Sequence, residues 1–243
     1  MKLLAFSTRN TREIVRDPLN VGFGVGFPVI LVLLLSAIQA NIPTPMFVIE
    51  KLAPGMAVFG LAFMTLFSAT LVARDRESAF LARLYTTPLT ALDFILGYLL
   101  PILPLALAQS LITYAVSAAL GLPVTVSLIY ALVCILPIAL LFISIGLLCG
   151  SVLNVKQVGG ICGALFTNLT AWLSGTWFDL KLVGGAFEKI AYALPFVHAV
   201  ELERAALGGD FSGALPHLLW VLGYAAVMTA GAVWLFLRQM KRQ

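Results

Sequence analysis

The sequence predicts an all-α integral membrane protein with six transmembrane helices. It also predicts an N-terminal interfacial elbow helix, a charged helix between spans two and three, and short outer helices between spans five and six. The first observation is composition: 61% of the 243 residues are hydrophobic, 11% are charged and the mean hydropathy is +1.02, whereas soluble domains are about half apolar and a quarter charged. The second is that the apolar residues form runs long enough to cross a bilayer. The third is that charged residues gather between these runs, so residues 1–243 make one membrane domain with little room for a soluble one.

The N-terminal segment, residues 1–18, has the pattern of a helix that lies along the membrane surface. On a helical wheel the apolar side holds Leu3, Leu4, Phe6, Ile14 and Val15, and the basic side holds Lys2, Arg9, Arg12 and Arg16. Pro18 ends this helix. The alternative is a plain basic N-terminus that only sets the orientation of the protein in the membrane.

Six apolar runs are expected to span the membrane, at about residues 21–40, 53–73, 94–120, 124–152, 158–174 and 217–237. No Asp, Glu, Lys or Arg occurs between Asp93 and Lys156, a stretch that is too long for one span. We expect Gly121-Leu122-Pro123 to break it into spans three and four. Glycines near the following turn predict close packing of spans four and five there: Gly146, Gly150, Gly159, Gly160 and Gly163.

A charged island, residues 74–88, separates spans two and three. From Asp75 to Tyr85 it can form an amphipathic helix, with Phe80, Leu81, Leu84 and Tyr85 on one side and Arg76 and Arg83 on another. Pro88 ends this helix, and Thr90 or Asp93 can cap the apolar helix that follows. A short, stiff helix that is joined at both ends to membrane helices is a lever on which a soluble protein could push.

The largest polar region on the other side of the membrane is residues 175–216. It mixes charged residues with apolar runs, which predicts short helices half-sunk in the outer surface. Of the 15 basic residues, only Lys51, Lys181, Lys189 and Arg204 lie on this side. The positive-inside rule therefore predicts that both termini and the charged island are cytoplasmic.

Several function classes lack their signatures in this sequence. There is no GxxxxGK[ST] loop, no HExxH and no GxSxG, and the three cysteines lie in apolar segments. His198 and His217 are more typical of ordinary interface residues than of metal ligands. The basic residues flank membrane spans, as expected for orientation signals rather than for nucleic-acid binding. The predicted spans carry no ionisable Asp, Glu, Lys or Arg, which weakens but does not remove the hypothesis of an ion-coupled secondary transporter.

Three stretches resemble one family in chain order. RDRESAFLARLYTTPLTALDFILGYLLP resembles the coupling-helix signature of the type-2 permeases of ATP-binding cassette (ABC) exporters. RNTREIVRDPLNVGFGVGFPVILVLLL resembles the elbow and first span of that family, and ALPFVHAVELERAALGGDF resembles its outer segment before the last span. The resemblance covers essentially the full chain, and its drug- and antibiotic-efflux branch is the most similar.

The resemblance implies that two permease subunits associate, as a homodimer or with a close relative, and that separate nucleotide-binding subunits dock on them. ATP and Mg are bound by those subunits, so this chain is not itself an enzyme and carries no catalytic, cofactor or metal residues. The implied ATPase-coupling residues are Asp75, Arg76, Glu77, Phe80, Leu81, Arg83 and Leu84. The elbow residues Arg9, Arg12 and Arg16 would touch either the ATPase or anionic lipid headgroups.

Spans one, two and five would line the route between the subunits of such a dimer. The candidate path residues are Phe63, Phe67, Ser68, Thr167, Asn168 and Thr170. For any one of them, a packing role is the competing interpretation, and a buried hydroxyl commonly bonds back to its own helix.

The expected function is export of a hydrophobic or amphipathic small molecule, such as a drug, an antibiotic or a lipid-like compound, across the bacterial inner membrane. The short outer segment suits such cargo. Export of a polysaccharide or lipid-linked glycan is the alternative within the family, although the four tryptophans lie near predicted span ends rather than along a path. The membrane bilayer is the remaining expected partner.

Overall fold

The computed structural model describes residues 2–78, 80 and 90–240, and its described residues form helices and turns without strands. The helices are α1 Lys2–Val15, α2 Pro18–Gln39, α3 Ile49–Glu77, α4 Ala91–Ala119, α5 Ser127–Val152, α6, α7 Leu180–Val183, α8 Gly185–Ala193, α9 Pro195–Gly208 and α10 Phe211–Met240. We use α6 for three consecutive pieces: an α-helical turn Val155–Val158, a π-helix Gly159–Phe166 and an α-helix Thr167–Leu173. The all-helical fold class is confirmed.

Five helices among the described residues, α2, α3, α4, α5 and α10, are long and apolar enough to cross a membrane. They correspond to predicted spans one, two, three, four and six. The predicted fifth span falls on α6, which is helical from Val155 to Leu173 but is divided by the π-helix. The π-helix has no counterpart in the sequence-based prediction, because the i→i+5 pattern has no composition signal of its own.

α3 lies at the centre of the bundle. It packs against α2, α4, α5, α6 and α9, and nearly all of its apolar residues are buried. It approaches α5 closely where Gly146 faces the Ser68 hydroxyl and the Thr65 carbonyl, and where Gly150 faces the backbone of Ala69. The absence of a Cβ at both positions lets the two backbones meet.

The glycine prediction is therefore wrong about the partner. Gly146 and Gly150 of span four pack against span two rather than span five, while Gly159 and Gly160 face open space. Small residues show that a helix can be approached closely, but they do not say which helix approaches it.

The predicted helix boundaries near the charged island are partly confirmed. Thr90 caps α4 and forms a capping box with Asp93, in which each side chain accepts the other's backbone N–H. The start of the charged helix is corrected, because Asp75, Arg76 and Glu77 continue α3 to its last turn. Residues 81–89, which hold the second half of the charged island, lie outside the described residues.

Two ends of the bundle position the sites below. At the elbow end, α1, the last turn of α3, the start of α4 and the α5–α6 turn meet. At the far end lie the loop before α3, the turn at Gly121 and the segment from residue 174 to residue 210. The expected break at Gly121 is confirmed, with φ at +109°. The segment in which short helices were expected forms α7, α8 and α9, and its position on the outer side stays a prediction.

Candidate functional site

The last turn of α3 carries a buried carboxylate that is held by three donors. Asp75 is only 1% exposed. Arg9 of α1 donates Nη1–H to Asp75 Oδ2 and approaches Oδ1 with Nη2, both at 2.5 Å. The Tyr98 hydroxyl of α4 donates to Oδ2 at 2.6 Å. Such a bidentate guanidinium–carboxylate pair fixes orientation as well as charge.

Aromatic packing and a buried amide fix α1 next to this pair. The Arg9 guanidinium lies 4.4 Å from the centroid of the Phe80 ring. Phe6 packs edge-on against Tyr98 at 5.0 Å between centroids and occupies the space where a Cβ on Gly97 would lie. Asn10 is fully buried and donates Nδ2–H to the Gly97 carbonyl at 3.0 Å. Helix α1 is thus joined to α4 by a buried hydrogen bond and by close packing.

Arg76, the next residue, binds the end of α5. Its guanidinium donates to the carbonyl oxygens of Ser151 and Leu153, the latter at 2.6 Å. The last carbonyls of a helix lack intrahelical donors and carry the negative end of the helix dipole. A cation that binds two of them stabilises the C-terminus of α5 and ties it to α3.

Glu77 binds the start of α6. Its Oε1 accepts the backbone N–H of Val155 at 2.9 Å, one of the N-terminal donors that a helix leaves unpaired. Asn154 caps the same turn by accepting the N–H of Gln157 at 2.9 Å. The turn between α5 and α6 is therefore held from the α3 side by a cation and by an anion.

Three consecutive side chains of α3 thus contact three different parts of the bundle. Successive residues of an α-helix point about 100° apart, so Asp75 reaches α1 and α4, Arg76 reaches α5 and Glu77 reaches α6. We call these three residues the α3 hub. A displacement of the chain that follows Glu77 would act on four other helices through the hub.

The predicted ATPase-coupling residues fall into three groups in the structure. The polar groups of Asp75, Arg76 and Glu77 bind within the chain, and Asp75 is buried. The predicted contact of these residues with an ATPase stays a prediction. Phe80 is partly buried against Phe6 and Arg9. Leu81, Arg83 and Leu84 lie outside the described residues.

Of the three arginines predicted to lie on the elbow helix, one is bound within the chain and two are exposed. Arg9 is bound to Asp75 and also lies 3.0 Å from Glu13. Arg12 and Arg16 are exposed, so both are accessible to a protein or a lipid headgroup. Their predicted contact with either remains a prediction.

The six predicted path residues do not share one surface of the chain. Phe63 and Phe67 are buried beneath α2, where the Phe67 ring fills the space beside Gly24. Ser68 is fully buried between α3 and α5 and donates to backbone carbonyls, as the competing packing interpretation expects. Thr167 and Thr170 are buried, and Asn168 is exposed and donates to the Ala164 carbonyl.

A second buried carboxyl escaped the sequence analysis, which had placed it in the polar outer segment. Glu203 of α9 is fully buried, and its Oε2 accepts the Tyr114 hydroxyl of α4 at 2.6 Å. Its Oε1 has no hydrogen-bond partner among the described residues. Burial raises the pKa of Glu203 to about 8, because a charged carboxylate is poorly solvated there. The residues three and four positions before and after Glu203 are all apolar: Ala199, Val200, Ala206 and Leu207. This spacing is the sequence signal that could have indicated a buried helix face.

The chain was compared with known proteins. The sequence model of a family described as ABC-2 type transporter matches residues 1–207. No curated protein matches the chain. The matched residues include α1, the hub and all of α9 except its last residue.

Proposed function

Because the chain belongs to the ABC-2 type transporter family, we propose that it is the permease subunit of an ATP-driven exporter of a hydrophobic or amphipathic small molecule. A separate ABC subunit binds ATP and Mg, and two permease copies form the transport path. The protein resides in the bacterial inner membrane as a multi-pass protein with both termini in the cytoplasm. In this arrangement α6 is the fifth of six spans and the elbow end faces the ATPase.

The observation that carries the proposal is the α3 hub. A nucleotide-binding subunit that presses on residues 78–90 pushes on a segment that continues directly from Glu77. Because Asp75, Arg76 and Glu77 are bound to different elements, the push reaches α1, α4, α5 and α6 together. Packed helices respond to such a push by rigid-body shifts rather than by continuous deformation.

The strength of these contacts suits a transmission element. Hydrogen bonds to charged groups contribute about 1.5–3 kcal/mol each, and the hub has them to Tyr98, Leu153 and Val155 as well as to Arg9. Together these hydrogen bonds contribute more than the usual allosteric coupling free energy of about 1–3 kcal/mol. Transmission of that free energy would therefore leave the hub contacts intact.

The experiment is purification from native membranes in mild detergent, followed by ATPase and efflux assays of the reconstituted complex. We expect a P-loop ATPase to copurify and to drive efflux of an amphipathic dye. The double variant Arg76→Gln with Glu77→Gln should keep the ATPase bound and active while ATP-driven efflux falls about tenfold, within the usual range of coupling. Secretion of a polysaccharide without dye efflux would reassign the cargo.

The matched control is Arg74→Gln. Arg74 lies in the same turn but is exposed, and the nearest carboxylate oxygen, Asp17 Oδ2, is 3.7 Å away. We expect efflux to be unchanged. Loss of ATPase binding in the hub variant would mean that the hub serves assembly rather than transmission, and purification without any ATPase would refute the exporter proposal.

A further inference from the structure

A cavity of about 450 Å³ opens at the far end of the bundle, opposite the hub. It lies between the loop that leads into α3, the segment from Gly175 to Leu182 and helix α9. Its wall includes four aromatic side chains and two lysines: Phe47, Trp177, Phe178, Tyr192, Lys51 and Lys181. This volume is within the range of cavities that hold small organic ligands, and the wall combines aromatic side chains with charged ones.

The cavity is held open by Arg204 of α9. Its Nη1 donates to Glu201 at 2.7 Å, and its Nη2 donates to the Gly175 carbonyl at 2.9 Å and reaches the Lys51 carbonyl at 3.5 Å. One guanidinium therefore ties α9 to the two other segments that line the cavity. A site whose walls are fixed before binding loses less entropy when a ligand enters.

The charged residues of the cavity lining have a net positive charge, because Lys51, Lys181 and Arg204 outnumber Asp179 and Glu201. Glu201 is neutralised by Arg204, and Asp179 uses Oδ1 to cap the backbone N–H of Lys181 at 3.0 Å. Lys51 and Lys181 are exposed, and neither ammonium group has a carboxylate within 4 Å among the described residues. The two lysines come from different walls of the cavity, because Lys51 lies in the first turn of α3 and Lys181 belongs to α7.

We propose that this cavity binds an amphipathic organic anion. The apolar or aromatic body lies against Phe47, Trp177 and Phe178, and a carboxylate, phosphate or sulfonate head lies between Lys51 and Lys181. The ligand is either a soluble organic anion or the headgroup end of an anionic lipid. The site does not depend on the proposed function, since binding needs neither ATP nor the ATPase; to name its ligand as the cargo would rest on that function.

The test uses the full chain in nanodiscs of phosphatidylcholine only, with calorimetric titration and subtraction of empty nanodiscs. The probes are 2-naphthalenesulfonate, neutral 2-naphthol and cationic 2-naphthylmethylammonium, which share one ring system. We expect the sulfonate to bind most tightly. The double variant Lys51→Gln with Lys181→Gln should weaken the sulfonate about tenfold, the effect of two partly exposed charge pairs, and leave naphthol unchanged.

Lys189→Gln is the matched control, because Lys189 is exposed on the neighbouring helix α8 and does not line the cavity. Equal affinity for sulfonate and ammonium probes would overturn the proposal. So would an unchanged double variant, an equal loss in the control or binding that does not exceed that of empty nanodiscs. The titration is then repeated in nanodiscs that contain phosphatidylglycerol. Weaker sulfonate binding would show that the lipid headgroup competes for the site, and unchanged sulfonate binding would identify a site for soluble anions.

Discussion

The pair of Arg9 and Asp75 makes a prediction that tests how the elbow helix is attached. Asp75 is buried, whereas one third of the Arg9 side chain is exposed. Arg9→Gln removes the guanidinium from a carboxylate that cannot reach water and leaves Tyr98 as its remaining described donor. Asp75→Asn instead releases a guanidinium that can turn to solvent and keep its contact with Glu13. The two substitutions should therefore differ in cost.

The burial of each group gives the magnitudes. An uncompensated buried charge costs about 3–5 kcal/mol, and the hydrogen bond that Tyr98 still donates to Asp75 puts Arg9→Gln at the low end, about 3 kcal/mol. Asp75→Asn loses charge-assisted bonds but leaves no buried charge, so we expect about 1–2 kcal/mol. The double variant should cost about 2 kcal/mol, which gives a coupling energy of about 2–3 kcal/mol between the sites.

Unfolding of the detergent-solubilised protein, followed by tryptophan fluorescence, measures these free energies. Arg12→Gln is the control, because Arg12 is exposed on the same helix and surface substitutions change stability by about 0.5 kcal/mol or less. Additive effects of the two single substitutions, or a greater cost for Asp75→Asn than for Arg9→Gln, would refute the argument that the pair holds α1 against α3 and α4.

Two further predictions follow from burial and close packing. Since the folded-state pKa of Glu203 is raised from 4.5 to about 8, the neutral acid is the stable buried form, and stability should fall as pH rises from about 4.5 to about 8. The change is at most roughly 5 kcal/mol, and thermal melts across this range should lose the dependence in Glu203→Gln; an unchanged slope would contradict it. Gly146→Ala should cost about 2 kcal/mol in the same assay because its methyl group would meet Ser68. Gly22→Ala, in open space, should cost nothing, and equal costs would show that the α3–α5 contact is not tight.

The sequence determined the features that depend on near neighbours in the chain. Composition and apolar runs specify a helical membrane protein. The cap at Thr90 and the break at Gly121 follow from local rules, since their donors, acceptors and backbone angles lie within a few residues. The family could also be recognised from sequence, because its motifs are short stretches of consecutive residues that occur in a set order along the chain.

Only the tertiary structure decided which distant groups meet. Arg9 and Asp75 are 66 residues apart and Tyr114 and Glu203 are 89 apart, and no periodicity connects them. The sequence assigned Asp75 to a surface lever, but it lies in the last turn of α3 because Arg9 and Tyr98 satisfy its charge there. A helix shows from sequence which of its faces can be buried. The partner of each buried side chain depends on how the helices are rotated and shifted against each other, and packing of the whole bundle sets that arrangement.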